Sequence, residues 1–301
     1  MLKKDFENDL KEEIAKISKR MGIKISLKDS FRKIIRDYLT VRFKIIDIKK
    51  RRVRFNPDFF VELNNHQKRN EIQHISQLAS IGGNLNTFQS KKLLQTGFHD
   101  HLLSAWNIYH FHLSLSIDKK TKFVKQTNDL LFAYIDYDQI IFLGTDKHKD
   151  GIFADIKWLE ILHDYFPEVI EKYRDNKIKD IRLKVNSSER QMIWNSGLMI
   201  GMTKVRDAVY HNPGIGRATS GHSTAVTSTT VDIIRWISKL DIQLNDSTKE
   251  VCDYLNIKTK DAKFKIRLEN KLELIELSKN IKILEFPEVF IDRNELLKKN
   301  K

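Results

Sequence analysis

Residues 98–116 are FHDHLLSAWNIYHFHLSLS. As a strand from Asn107 to Ser116 this stretch places His110, His112, Ser114 and Ser116 on one face and Tyr109, Phe111, Leu113 and Leu115 on the other, because strand side chains alternate. The apolar face is fit for burial. The opposite face sets two imidazoles beside two hydroxyls, a surface better suited to chemistry than to a core. Residues 129–150 follow as DLLFAYIDYDQIIFLGTDKHKD, two apolar runs joined through Tyr137 and Asp138 at the spacing of a tight hairpin. The second run ends on Lys147 and His148. A central antiparallel sheet with a histidine-rich strand is therefore expected.

On the N-terminal side, Leu2, Phe6, Leu10, Ile14 and Ile17 recur every three or four residues, the stripe of an amphipathic helix that Gly22 stops. A second helix is expected after Ser26, with Asp29 completing an imperfect capping box, running through Phe31, Ile34, Ile35 and Tyr38. Residues 41–55, VRFKIIDIKKRRVRF, gather Lys49, Lys50, Arg51, Arg52 and Arg54 among β-branched and aromatic residues. That pattern predicts a basic strand or loop, which either meets phosphate or guards a sheet edge against aggregation. After Pro57, a polar helix is expected over Glu62 to Ile81, closed by Gly82 and Gly83. Its His66 and His74 read as surface residues.

On the C-terminal side, a helix from Asp155 to Phe166 carries Ile156, Leu159 and Leu162 on one side, fit to cover the sheet. Residues 178–185, IKDIRLKV, partly alternate as a further strand, and Ser187 or Ser188 is a candidate cap for the next element. Residues 194–223 then hold Gly197, Gly201, Gly214, Gly216 and Gly221 ahead of a helix expected over Ser223 to Leu240. Glycine-rich backbone entering a helix N-terminus suits an anion. Gly216, Arg217, Gly221, His222 and Ser223 fall on the P-loop pattern, with histidine in place of the lysine that serves the terminal phosphates. The stretch including Gly214 thus reads as a phosphate-contacting loop or a structural turn. Phe264, Ile266, Leu268, Leu272 and Leu274 form a hairpin pattern turning at Glu269 to Lys271.

With 54 lysines and arginines against 40 acids, the chain carries a formal net charge of +14 and a pI near 9.6, which draws polyanions. RNA is the expected partner and DNA the next, with a regulatory protein or a second copy of the chain as further partners. One cysteine, Cys252, rules out an intrachain disulfide and a thiolate zinc cluster and fits a reducing, cytoplasmic setting. No apolar run reaches the roughly 20 residues of a membrane span, and no signal-peptide core opens the chain.

Two histidines two apart on a strand share one face, which serves a metal or an acid/base pair equally. In the metal-free case His110 and His112 are base and acid, and Lys119, Lys120, Lys122, Lys125, Lys147 and His148 supply charge to a phosphate undergoing attack by its neighbouring 2′-hydroxyl. In the metal case His110 and His112 are two ligands of a divalent ion, and His99, His101, Asp100 and Asp136 are the candidates for the third. In the third case the histidines are structural. The order of strand WNIYHFHLS, basic connection, strand DLLFAYID, tight turn and strand QIIFLGTDKHKD over residues 106–150 resembles the antiparallel core of the RelE/ParE-type toxins. That resemblance implies a small basic sheet for messenger RNA cleavage, with His110, His112, Lys147 and His148 at the catalytic face and no cofactor.

The expectation is thus an α+β protein in three consecutive regions: helices and a basic segment over 1–97, the central sheet over 98–185, and the glycine-rich loop, helix and hairpin over 186–301. Its expected role is nucleic-acid binding with metal-independent ribonuclease activity of toxin or phage-defence type. A non-catalytic binding or regulatory module and a metal-dependent hydrolase are the competing classes.

Overall fold

The computed structural model describes residues 5–98, 100–182, 184–198, 200–214, 218, 221–268 and 271–286. The architecture is α+β, as expected. The N-terminal part runs α1 (Phe6–Met21), α2 (Phe31–Arg42), β1 (Arg52–Phe55), α3 (Pro57–Glu62), α4 (Arg69–Ile81) and α5 (His101–Trp106). There follow β2 (Ile108–His112), β3 (Asp129–Ile135), β4 (Gln139–Lys147), α6 (Lys157–Tyr165), α7 (Pro167–Ile170), β5 (Arg174–Asp175) and α8 (Ser187–Asn195). The chain continues with β6 (Met202–Val205), β7 (Ala208–His211), α9 (Thr224–Tyr254), β8 (Phe264–Leu268), β9 (Leu272–Glu276) and β10 (Ile281–Glu285). No helix among the described residues is long and apolar enough to cross a membrane.

The chain forms two compact units, each discontinuous in sequence, where composition suggested three consecutive regions. One comprises Met1–Phe43, Leu94–Gly97 and Val226–Lys301; the other comprises Lys44–Leu93 and Phe98–Ala225. In the first, α1, α2 and α9 bury Leu10, Ile14, Ile34, Ile35, Ile233 and Ile237 with the inward residues of the sheet β10-β9-β8. The cap of α2 is Ser30, whose Oγ accepts from Lys33 N; Ser26 and Asp29 close a turn instead. Helix α9 runs to Tyr254, well past Leu240, because Leu244, Thr248 and Cys252 carry its buried stripe onward. A third strand, β10, joins the hairpin expected here, whose turn residues Glu269 and Asn270 lie outside the described residues.

The second unit holds the sheet β1-β4-β3-β2, in which β2, β3 and β4 are antiparallel and β1 lies parallel to β4. Asp136 to Asp138 make the hairpin turn, and Asp136 Oδ1 accepts from the amides of Asp138 and Gln139. Tyr109, Phe111, Leu131, Ala133, Ile140 and Phe142 point to one core. Ile108, Leu130, Phe132, Tyr134, Ile141 and Leu143 point to the other, where Trp158, Leu159 and Leu162 of α6 cover them as expected.

Several local expectations fail for identifiable reasons. Strand β2 stops at His112, so Ser114 and Ser116 are not strand residues. Pro57 starts a helix with Asn56 as its cap, since its missing N–H falls where no helical partner exists, and the following long helix begins only at Arg69. Residues 178–182 are coil; Asp175 Oδ1 accepts from the amides of Lys177 and Ile178 and turns the chain away. Helix α8 is capped by Asn186, with Glu189 returning the bond, so neither Ser187 nor Ser188 is the cap. The glycine-rich stretch contains a hairpin, β6 and β7, that its composition concealed.

Candidate active site: a histidine cavity

Helix α5 and strand β2 are joined by one residue, Asn107, held at φ 58°. That hinge folds the start of α5 back over β2. Asp100, the helix cap, accepts from Leu103 N at 3.0 Å and brings its other oxygen 3.2 Å from His110 Nδ1. The contact is off the line of the ring N–H, so it is a charge contact more than an aligned hydrogen bond. Burial pushes the Asp100 carboxyl up, but the adjoining His110 ring, the Leu103 amide and His101 outweigh it and hold the group below the usual range.

His112 sits one pleat further on, its ring centre 6.3 Å from that of His110. Its Nδ1 lies 3.1 Å from Thr127 O and 3.2 Å from Thr127 N, so either neutral tautomer finds a backbone partner. Thr127 Oγ1 in turn accepts from Leu113 N and donates to Asp129 O, fastening that residue at the end of β2. Burial lowers the His112 pKa to about 4, with His110 and His148 adding to the effect against the Thr127 bond. At neutral pH the ring is uncharged.

His148 arrives at the same place from β4, its amide donating to Asn128 O at 2.7 Å. Phe153, carried on a 3₁₀ turn, lies between two of the rings, 4.8 Å from His110 and 5.2 Å from His148. The turn is set by Gly151, at φ 76°, where an added Cβ would lie 2.9 Å from Ser188 N and 3.0 Å from Ser187 C. Close approach to α8 therefore requires glycine. Together with Lys92, Ser90, Gln126, Gln191 and Asn195, these residues enclose a cavity of about 500 Å³.

The structure brings together three of the four expected catalytic residues, His110, His112 and His148. Lys147 is the exception. A bulge between Phe132 and Ala133 on the β3–β4 ladder leaves one extra residue on β4 next to Gly144, so Thr145 and Lys147 pair with Leu131 and Asp129 on the face opposite the histidines. Lys92 is the lysine that lines the cavity. Asp146, on the histidine face, is engaged by Lys157 and Lys149. Behind the wall, buried Lys44 donates to Phe98 O, and burial pushes its pKa down to about 8 against the attraction of Asp100.

The expected phosphate contacts fare differently. Arg51 is buried and donates to the carbonyls of Asp47, Lys49 and Asp136, which makes it a brace for the turn and removes it from any phosphate surface. Arg52 and Arg54 both reach Gln139 Oε1, and Arg54 also pairs with Glu168. Lys49 stands over the Tyr137 ring, and Lys50 is exposed. Lys119 and Lys120 are exposed on a loop closed by the Ile117–Val124 bridge, outside the cavity lining.

In the glycine-rich loop, Gly216 and Arg217 lie outside the described residues, as does His99 of the metal set. A Cβ on Gly214 would come within 1.8 Å of Ser104 O, so this glycine serves packing against α5. Gly221 N donates to Ala218 O and Ala218 N to His222 O, a closed turn ahead of Ser223. His101 lines the cavity with its ring 5.5 Å from that of Trp194. Among the described residues no three of His, Cys, Asp and Glu converge as a metal set.

Composition conveyed the histidines but not Asp100 as their partner, nor Lys92 or Thr127. For Asp100, weighed from the sequence as a third metal ligand and not as a partner of His110, the further signal was its place as a cap before the apolar run LLSAW. No family model, curated protein or solved structure matches the chain.

Proposed function

We propose that this protein binds RNA and cleaves it by intramolecular attack of a 2′-hydroxyl on the adjacent phosphate. The observation that carries the reading is the Asp100–His110 pair opening onto a cavity shared with His112, His148 and Lys92. A carboxylate at Nδ1 favours the tautomer protonated there, which leaves Nε2 as the basic nitrogen. His110 takes the 2′-proton, the 2′-oxygen bonds to phosphorus, and the bond from phosphorus to the 5′-oxygen breaks. His148 gives its proton to that leaving oxygen, and Lys92 faces the charge that builds on the phosphate. The products are a 2′,3′-cyclic phosphate and a 5′-hydroxyl.

His112, uncharged at neutral pH, is unsuited to the acid role and acts as a hydrogen-bonding partner to the substrate. The formal charge of +14 supports capture of a polyanion. Activity of this kind suits an intracellular toxin or phage-defence protein. The test is incubation of purified protein with end-labelled RNAs in the presence of chelator, with the termini identified chemically. Cyclic phosphate ends that disappear in His110→Ala support the reading. RNA that is bound and never cut leaves a binding module; activity abolished by chelator turns the reading to a metal-dependent hydrolase.

A further inference from the structure

We infer that the cavity receives one unpaired nucleotide at a time, its base held by the carboxamides of α8 and the aromatic wall, so that the substrate is single-stranded RNA. This rests on the ribonuclease reading for its chemistry, but the geometry has its own support. At about 500 Å³ the space falls inside the range of roughly 300–1,000 Å³ that encloses a small ligand. It suits a single nucleotide and excludes a duplex, whose bases are stacked inward and whose grooves are read from outside.

Two carboxamides that share the cavity lining with the histidines have the chemistry of base-edge readers. Gln191 and Asn195 stand four residues apart on α8, hence on one face of the helix, and both line the cavity. A carboxamide offers a donor and an acceptor side by side, which matches the edge of a nucleobase. Gln191 Oε1 is buried and accepts no hydrogen bond among the described residues. Such an oxygen is destabilising until a donor meets it, and turning the amide toward a base N–H supplies one. Phe153, set between His110 and His148, provides the flat apolar surface on which unstacked bases are held. Strandedness also follows from the reaction, since in-line attack by the 2′-oxygen needs a backbone freed from the regular A-form helix.

The test has two arms. In the first, the four nucleoside 3′-monophosphates and inorganic phosphate are titrated against the full chain while the histidine ring resonances are followed. Saturable shifts with a nucleotide, stronger than with phosphate alone and differing among the bases, are expected. Asn195→Ala and Gln191→Ala should each weaken the preferred nucleotide by about tenfold and leave phosphate unchanged, with melting cooperative as in the parent. Nucleotides that bind no better than phosphate, or variants that leave base preference untouched, overturn the inference even where RNA is cleaved.

In the second arm, one RNA strand is presented alone and annealed to its complement. Cleavage confined to the single strand is expected, and equal rates overturn the inference. Saturable, base-dependent nucleotide binding without cleavage of either substrate sinks the ribonuclease reading and leaves the nucleotide site standing.

Discussion

The sheet β8-β9-β10 and the antiparallel part of the four-stranded sheet, β2-β3-β4, treat polar side chains in opposite ways. In β8-β9-β10 the charges close on one another: Arg267 donates twice to Glu273, Lys282 pairs with Glu285, and Lys271 reaches the same carboxylate. Glu276, fully buried, accepts from Ser278 Oγ and from the amides of Lys263 and Lys279. Beside the cavity, the buried polar residues of β2-β3-β4 are imidazoles, each engaged through one nitrogen, by Asp100 in His110 and by Thr127 in His112. A polar set that satisfies itself stabilises a fold; one that keeps donors and acceptors in reserve beside a cavity is prepared for a ligand.

The largest expected effect separates the two sheets by activity. His110→Ala should lower RNA cleavage by about 10²–10⁴-fold while the protein still melts cooperatively. Arg267→Ala in the other sheet should leave the rate unchanged and shift only the melt. Equal losses of cleavage in both variants would remove the distinction.

Acid stability provides the next contrast. The folded protein holds His112 at about 4 against an ordinary 6.5, so between those values the unfolded chain binds the additional proton. Stability therefore rises with pH across that window and falls on acidification through it, by on the order of 3 kcal/mol from this ring. Below about 4 the folded ring is protonated too and its slope ends. Asp100, depressed below 3.8, stabilises above that value and loses its contribution only at lower pH. Denaturant titrations of wild type and His112→Gln from pH 7 to 4 check this, and an unchanged slope in the variant would detach it from His112.

A packing variant comes third. Gly214→Ala drives a Cβ into Ser104 O of α5, and overpacking of this kind costs about 1–3 kcal/mol. Because α5 begins at the Asp100 cap, the His110 ring resonances should move with the melt. A thermally normal variant with undisturbed histidines would break the link between that glycine and the site.

The smallest effect concerns charge. Lys92→Ala should reduce the slope of log affinity for RNA against log salt by about one unit or less, the loss of one phosphate contact, and lower the cleavage rate. Lys147→Ala, on the opposite face of β4, should alter the salt slope without changing the rate at saturating RNA.

Period-two alternation placed His110 and His112 on one face because it depends only on neighbouring residues, and the turn at Asp136 to Asp138 and the hairpin of β8 and β9 were legible for the same reason. The stripes of α1 and α6 were equally local. The basic surplus and the single cysteine are properties of composition and need no fold. Tertiary structure alone decided the rest. It turned Lys147 away from the histidines through one extra residue in β4, buried Arg51 under the carbonyls of a turn, and placed Asp100 against His110 through the bend at Asn107. It also brought Lys92, Gln191 and Asn195 to the cavity from distant segments. Such convergence depends on which loops pack together across the sheet, a long-range outcome of burying apolar faces that no short window of sequence contains.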